Sequence, residues 1–365
     1  MFGVVWCLSF GTVQAGVVGV VTDGEGDWHF EERTELFQRE LAGLMEDSEP
    51  PEFRVVHGGW TAEGIRQALK TTLADPEVDV VYTAGAVASM IARALPEGER
   101  TKPVLGGAVI YSQSDEYPIT EDGTSPIPNF TYISSPSRVA DDLALAVRLR
   151  ATDTVYVFID ALMLAHLPNR KENQQRFEER VGVKLAFVEG KATAASYLDQ
   201  LPDGVTTVYL SLLGRLGPEE RKALFVGLQE RGIVSVAMAG ERDVAAGALA
   251  GLSGNTDSAV ARRLAISVYH LLEGGKTIDL QVALPVEDRL VLDLSVGEKT
   301  GWSPTYDLVL EARLLGEDSR GVGEALTLAD AMQRAADQSS AVAVARVGFA
   351  VRRVRKSFMG HARTT

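Results

Sequence analysis

"DPEVDVVYTAGAVASMIARALP", residues 75–96, sets the pattern by which the rest of the chain is read. Val78, Val80, Val81 and Tyr82 form a short apolar, β-favouring run of the kind buried on both faces of a parallel sheet. Thr83, Ala84 and Gly85 interrupt it. Ala86, Val87, Met90, Ile91 and Ala94 then recur at helical spacing, so a helix begins at the glycine. A helix N-terminus at the carboxyl end of a strand presents unpaired N–H groups and the positive end of its dipole, and small side chains let a ligand approach the backbone. The expectation is that Gly85 and Ala86 contact a ligand. A bulky side chain at Gly85 is then expected to block that contact and leave the fold intact.

Outward from this unit the same alternation recurs. Strands are expected at Val17–Val21, Phe53–Val56, Val78–Thr83 and Val104–Ile110, and the helix after the first carries Leu36, Phe37, Leu41, Leu44 and Met45 on one face. A polar, proline-rich connection follows, "YSQSDEYPITEDGTSPIPNFTYISSPS", long enough to be functional or to lie between domains. The rhythm restarts at Ser135, an N-cap with Pro136 at the first helical position. Strands are expected again at Val155–Ile159, Val183–Val188, Val205–Leu210 and Ile233–Ala237, with a helix in "GPEERKALFVGLQERG". A helix over Thr256–Leu272 and short strands near Leu280–Leu284 and Leu290–Leu294 recross between the halves. The fold class is α/β, with two doubly wound parallel-sheet lobes. Lobe 1 takes residues 16–134 and 255–285, and lobe 2 takes 135–254 and 286–316.

The chain's 365 residues suffice for two domains, and its 24% charged and 45% hydrophobic composition is ordinary for a globular protein. A formal charge of −14 argues against nucleic acid as a partner, because phosphate contacts need clustered Lys and Arg. Cys7 is the single cysteine, which excludes a disulfide framework and a thiolate metal site. It lies in "MFGVVWCLSFGTVQA", residues 1–15, an apolar run that ends in a small-residue cleavage pattern and reads as a signal peptide for export to the periplasm. That run has no Lys or Arg, which leaves a misplaced start or a first strand as the other readings.

No enzyme constellation emerges. "TDGEGDW" stands where a dinucleotide-binding glycine motif would follow the first strand, and there is no P-loop or G-x-S-x-G elbow. His29, His57, His166, His270 and His361 lack metal-ligand spacing, and no cofactor is implied. Asp141 and Asp142, adjacent on a helix, read as a solvated face. The strand ends instead offer small and polar groups able to orient a small solute: Gly24 and Glu25, Gly85 and Ala86, Tyr111 and Ser112, Asp160 and Ala161, Ser211 and Leu212, and Gly240 and Glu241.

"DPEVDVVYTAGAVAS", "KPVLGGAVIYS" with "IPNFTYISSPS", the stretch from "ERGIVSVAMAGERD" to "GGKTIDLQV", and "RLVLDLSVGEKTGW" occur in an order that resembles the type I periplasmic binding proteins. The resemblance spans residues 16–316 and is to the ABC-transporter substrate-binding branch related to tryptophan and tyrosine binders. It implies a two-lobed protein that closes over a small ligand, an amino acid or related solute, and delivers it to an ABC permease. Gly85 and Ala86 match the small-residue turn after the family's third strand, and Tyr111 and Ser112 its loop after the fourth. The acidic "TDGEGDWHFEER" departs from the neutral loop usual there, and "VYVFIDALMLAHLPNRKENQQRF" lacks the small polar run expected at the second lobe's first turn.

Past a polar linker at residues 317–325, "EALTLADAMQRAADQSSAVAVARVGFAVRRVR" opens with a capping box and repeats Leu328, Ala335, Val342 and Phe349 every seven residues. This helix, residues 326–356, resembles the first helix of TolC-type outer-membrane efflux proteins, which implies a fragment of a fusion with an efflux assembly; the other reading of it is a helix that packs back on the second lobe. The other readings are a ligand sensor with no transport role and an enzyme on a doubly wound scaffold.

Overall fold

Val17–Thr22 (β1) is an unbroken apolar run, and all of it is buried. Such a strand is stable only with helices on both faces, and that requirement organises everything around it. The computed structural model describes residues 16–316 except 27, 46–48, 110–116, 135–137, 254–256 and 286–288. The leader, the linker, the C-terminal helix, Ser135, Pro136, Tyr111 and Ser112 therefore lie outside the described residues. All those described but Gly316 belong to one unit, Met1–Leu315.

After β1 come α1 (Trp28–Leu44), β2 (Glu52–His57), α2 (Ala62–Ala74), β3 (Val80–Thr83), α3 (Ala86–Ala94), β4 (Val104–Val109) and β5 (Phe130–Ser134). They form a parallel five-stranded sheet in the order β2-β1-β3-β4-β5. β2 is the edge, and its half-exposed residues fit that position. Arg54 there meets Glu52 and Asp75, a charged fringe that discourages further strand pairing.

The second lobe runs α4 (Val139–Leu149), β6 (Thr154–Asp160), α5 (Ala161–His166), α6 (Arg170–Val181), β7 (Lys184–Gly190), α7 (Ala195–Leu198), β8 (Thr207–Leu210), α8 (Pro218–Glu230), β9 (Val234–Ala237), α9 (Glu241–Ala246) and β10 (Ala250–Ser253). The chain then returns to the first lobe, where α10 (Asp257–Leu272) packs on α1. The last described elements lie in the second lobe: β11 (Arg289–Asp293), α11 (Leu294–Lys299), α12 (Tyr306–Glu311) and β12 (Arg313–Leu315). The second sheet has seven strands, β12-β11-β10-β9-β8-β6-β7. Its β7-β6-β8-β9-β10 portion repeats the strand order of lobe 1, and β11 is antiparallel beside β10.

Three sequence expectations need correction. Phe130–Ser134, read as part of a connection, is a fully buried strand, because Tyr132 packs against Phe130 and Tyr117 while its hydroxyl donates to the Tyr117 carbonyl. The strand expected at Leu280–Leu284 is reduced to isolated bridges from Gln281 to Thr124 and from Ala283 to Ser134. Asp141 is exposed and paired with Arg180, but Asp142 is buried and accepts the Tyr209 hydroxyl at 3.0 Å, so only one of the two faces solvent.

Candidate functional site

In each sheet the strand order reverses beside the first strand of the lobe, between β1 and β3 and between β6 and β8. Open α/β sheets bind ligands in the crevice outside such a point. Here the two crevices face each other. Asp23, Arg33, Trp60, Ala84, Ala86 and Val87 of lobe 1 and Asp160, Leu162, Met163, Leu212 and Gly214 of lobe 2 line one small cavity of about 50 Å³, partly open to solvent. Its apolar floor is continuous between lobes, since Met163 and Leu164 of α5 belong to the same packed cluster as Val87 and Ile91 of α3.

The glycine turn is fitted to a group from the protein itself. The Asp23 carboxylate accepts from the backbone N–H of Val87 at 3.0 Å and of Ala88 at 2.7 Å, so the free donors at the start of α3 are met by an internal anion. Gly85 precedes them because a Cβ there would fall against the Asp23 carboxylate and 2.6 Å from the Asp23 backbone nitrogen. A side chain at position 85 therefore disturbs the fold itself, contrary to the sequence expectation. Gly24 is needed likewise, since a Cβ would strike the Trp60 indole.

Trp60 is the main feature that sequence reading missed. It sits at φ 56°, a left-handed conformation that costs a side-chain-bearing residue energy and that tends to be held at functional positions. It is held there by its backbone N–H donating to the Asp23 carbonyl at 2.8 Å and its Nε1–H donating to the Glu25 carbonyl at 3.0 Å. Arg215, from the loop between β8 and α8, lays its guanidinium 5.0 Å from the centre of the indole ring and donates to the Trp60 carbonyl at 3.4 Å.

Asp160 caps α5 by accepting the Leu162 N–H at 2.8 Å, and its other oxygen lies 3.2 Å from Arg215 Nε. Burial pushes the Asp160 carboxyl above its ordinary range, and the Arg215 charge offsets only part of that. Two buried nitrogens at the cavity, Arg33 Nε and Arg215 Nε, make no hydrogen bond of their own, though Arg33 reaches Asp257 through Nη2 at 3.4 Å.

Of the residues singled out from sequence, Ala86, Asp160 and Leu212 line the cavity and Gly85 and Gly24 shape its wall. Glu25 is exposed and contributes its carbonyl, and Ala161 opens α5 beside the lining residues. Ser211 borders a separate apolar cavity inside lobe 2, with Tyr209 and Phe177. Gly240 precedes α9, and Glu241 is paired with Arg313 of β12 at 2.7 Å; neither lines the cleft cavity. Among the described residues no group of three or more His, Cys, Asp and Glu is placed to hold a metal ion, and no helix is long and apolar enough to cross a membrane.

No family model matches the chain, and no curated sequence relative does. Solved structures do. A conserved domain protein from Vibrio cholerae aligns at TM-score 0.65 and 16% identity, covering 82% of this chain and 99% of that one. The ABC domain of Streptococcus pneumoniae in complex with L-Trp aligns at TM-score 0.66 and 14% identity, with the same coverage of 82% and 99%. A ligand-free, open substrate-binding protein with adhesive properties from Clostridium difficile aligns at 0.50 and 12% identity over 82% and 99%. At such identities the likeness concerns architecture, and it agrees with the repeated strand order and the shared cleft: the chain has the two-lobed fold of the type I periplasmic binding proteins.

Proposed function

We propose that this chain is an exported solute-binding protein that closes its two lobes over a small ligand, an amino acid or related solute, and presents it to an ABC permease. The observation that carries the reading is a cavity built from both lobes at once, at the switch point of each sheet, with Asp23, Arg33 and Trp60 on one side and Asp160 and Leu212 on the other. Polar groups at such a site orient a ligand, and the apolar stretch of Val87, Leu162 and Met163 accommodates a hydrocarbon or aromatic body. The architectural likeness to a domain that carries L-Trp supports an amino acid with an apolar side chain. The apolar leader at residues 1–15 supports export to the periplasm.

A thermal-shift screen of the purified chain against the amino acids and small anions tests the reading. A ligand that binds only the folded state stabilises it by about 2.7 kcal/mol at a hundred times Kd. That corresponds to a rise of several degrees for a chain of this size. A screen in which no amino acid or anion raises the melting temperature would refute the proposed ligand class.

A further inference from the structure

We propose that Arg215 is a latch between the lobes and that the buried Arg221–Asp243 pair is the device that positions it. The inference rests on the cleft being the binding site and adds how its closure is controlled. Arg215 holds both lobes: its guanidinium lies over the Trp60 ring and donates to that residue's carbonyl in lobe 1, while Asp160 of lobe 2 faces its Nε at 3.2 Å. A guanidinium suits this, because it can stack flat on an indole while its edge donors reach a carbonyl and a carboxylate.

The loop that carries Arg215 is held on either side by Leu213 and Leu216, both buried in the lobe 2 core, and its remaining polar tie is the backbone of the turn itself. It contains Gly214 and ends at Gly217, and Arg215 occupies the third position of a tight turn closed by the Leu216 N–H donating to the Leu213 carbonyl at 3.1 Å. That same carbonyl accepts from Arg221 Nη2 at 2.9 Å, and Arg221 Nη1 donates to Asp243 at 2.6 Å. The pair is enclosed, at 5% and 1% side-chain exposure. Buried ion pairs contribute little net stability, yet removing one partner is costly, so such a pair is better explained by what it orients. Arg221 orients the turn, and the turn points Arg215 at Trp60.

Spin labels on the exposed residues Glu63 of α2 and Glu219 of α8 (Glu63→Cys and Glu219→Cys in a Cys7→Ser background) report lobe separation in the full chain. Arg215→Ala should shift the distance distribution to longer values. Arg221→Met with Asp243→Leu replaces the pair by hydrophobic residues of similar size, and should give the same shift while the cooperative melt is retained. Should that double variant fail to fold, Arg221→Lys serves: it keeps the charge against Asp243, cannot span both partners, and should again lengthen the distance. An unchanged distribution in Arg215→Ala overturns the latch, and a lengthened one there with none in the positioning variants overturns the role of Arg221 and Asp243. The latch and the binding reading fail separately. A solute that binds in the thermal-shift screen alongside an immobile Arg215→Ala refutes only the latch, and lobes that part in Arg215→Ala with no solute bound refute only the proposed ligand class.

Discussion

Gly85→Ala asks whether the glycine turn serves a ligand or the protein's own carboxylate. The added methyl would press on the Asp23 carboxylate and lie 2.6 Å from the Asp23 backbone nitrogen. Non-bonded heavy atoms settle at about 3.5–4 Å, so Asp23 must retreat by about 1 Å. Its bonds to the Val87 and Ala88 N–H groups, 3.0 and 2.7 Å long, then stretch beyond about 3.5 Å, where hydrogen bonding fails. Each is charge-assisted and worth about 1.5–3 kcal/mol, and the start of α3 is buried, so water replaces them poorly. The expected cost is about 3 kcal/mol of unfolding free energy, measured by urea denaturation with linear extrapolation. Gly43→Ala is the control. Position 43 is helical with open space around it, and a methyl there should stabilise by about 0.5–1 kcal/mol. Asp23→Ala should cost nearly as much as Gly85→Ala, and the double variant should cost clearly less than the two together, because both act through the same two bonds. A loss below about 1 kcal/mol in Gly85→Ala, or strict additivity with Asp23→Ala, would refute this account.

Trp60→Gly should be more stable than Trp60→Ala by about 1 kcal/mol, since both lose the indole but only glycine is relaxed at φ 56°; chemical denaturation that ranks them the other way contradicts the strained conformation. Thr61→Ala should cost about 1 kcal/mol by removing the oxygen that accepts the Gly64 N–H at the start of α2; a neutral result in the same melt would show that water caps the helix equally well. The carboxyls of Asp160 and Asp243 are raised by burial, so the native state keeps their protons to higher pH than the unfolded chain does. Their contribution to stability is thus greatest below the unfolded value near 3.8 and declines as pH rises through the folded value. Relative to Arg221→Met with Asp243→Leu, the natural chain should lose stability as pH rises from about 4, in urea melts taken at stepped pH, and a relative gain over that range would reverse the sign of the argument.

The sheet skeleton was legible because strands buried on both faces must be apolar throughout. β1, β3, β6 and β9 announce themselves as valine-rich runs between turn residues. β10 did not, since "AGLS" has no β-branched residue and becomes a strand by lying between β9 and β11. β5 was hidden by the polar, proline-rich residues before it, and β12 by its length of three residues at the sheet edge.

The cleft was legible only as a place. Strand ends and a switch point follow from alternation, but the groups that fill the cleft answer to partners far along the chain: Asp23 to Ala88, 65 positions on, and Trp60 to Arg215, 155 positions on. One local signal existed for Trp60. Two glycines before a lone tryptophan just after β2, "HGGW", mark a backbone that must turn tightly beneath a large side chain. Arg215 carries no such mark, because one arginine between Gly214 and Leu216 is ordinary loop composition. Its meaning arises only when Arg221 fixes the turn and the lobes meet. That is why the acidic loop "TDGEGDW", read from sequence as a departure, is better understood through Asp23. The carboxylate occupies the helix terminus that a ligand's anion would otherwise seek, so an acidic ligand group would need a cation elsewhere in the cleft, and Arg33 is the arginine that lines it, while the Arg215 guanidinium is already taken up by Trp60 and Asp160.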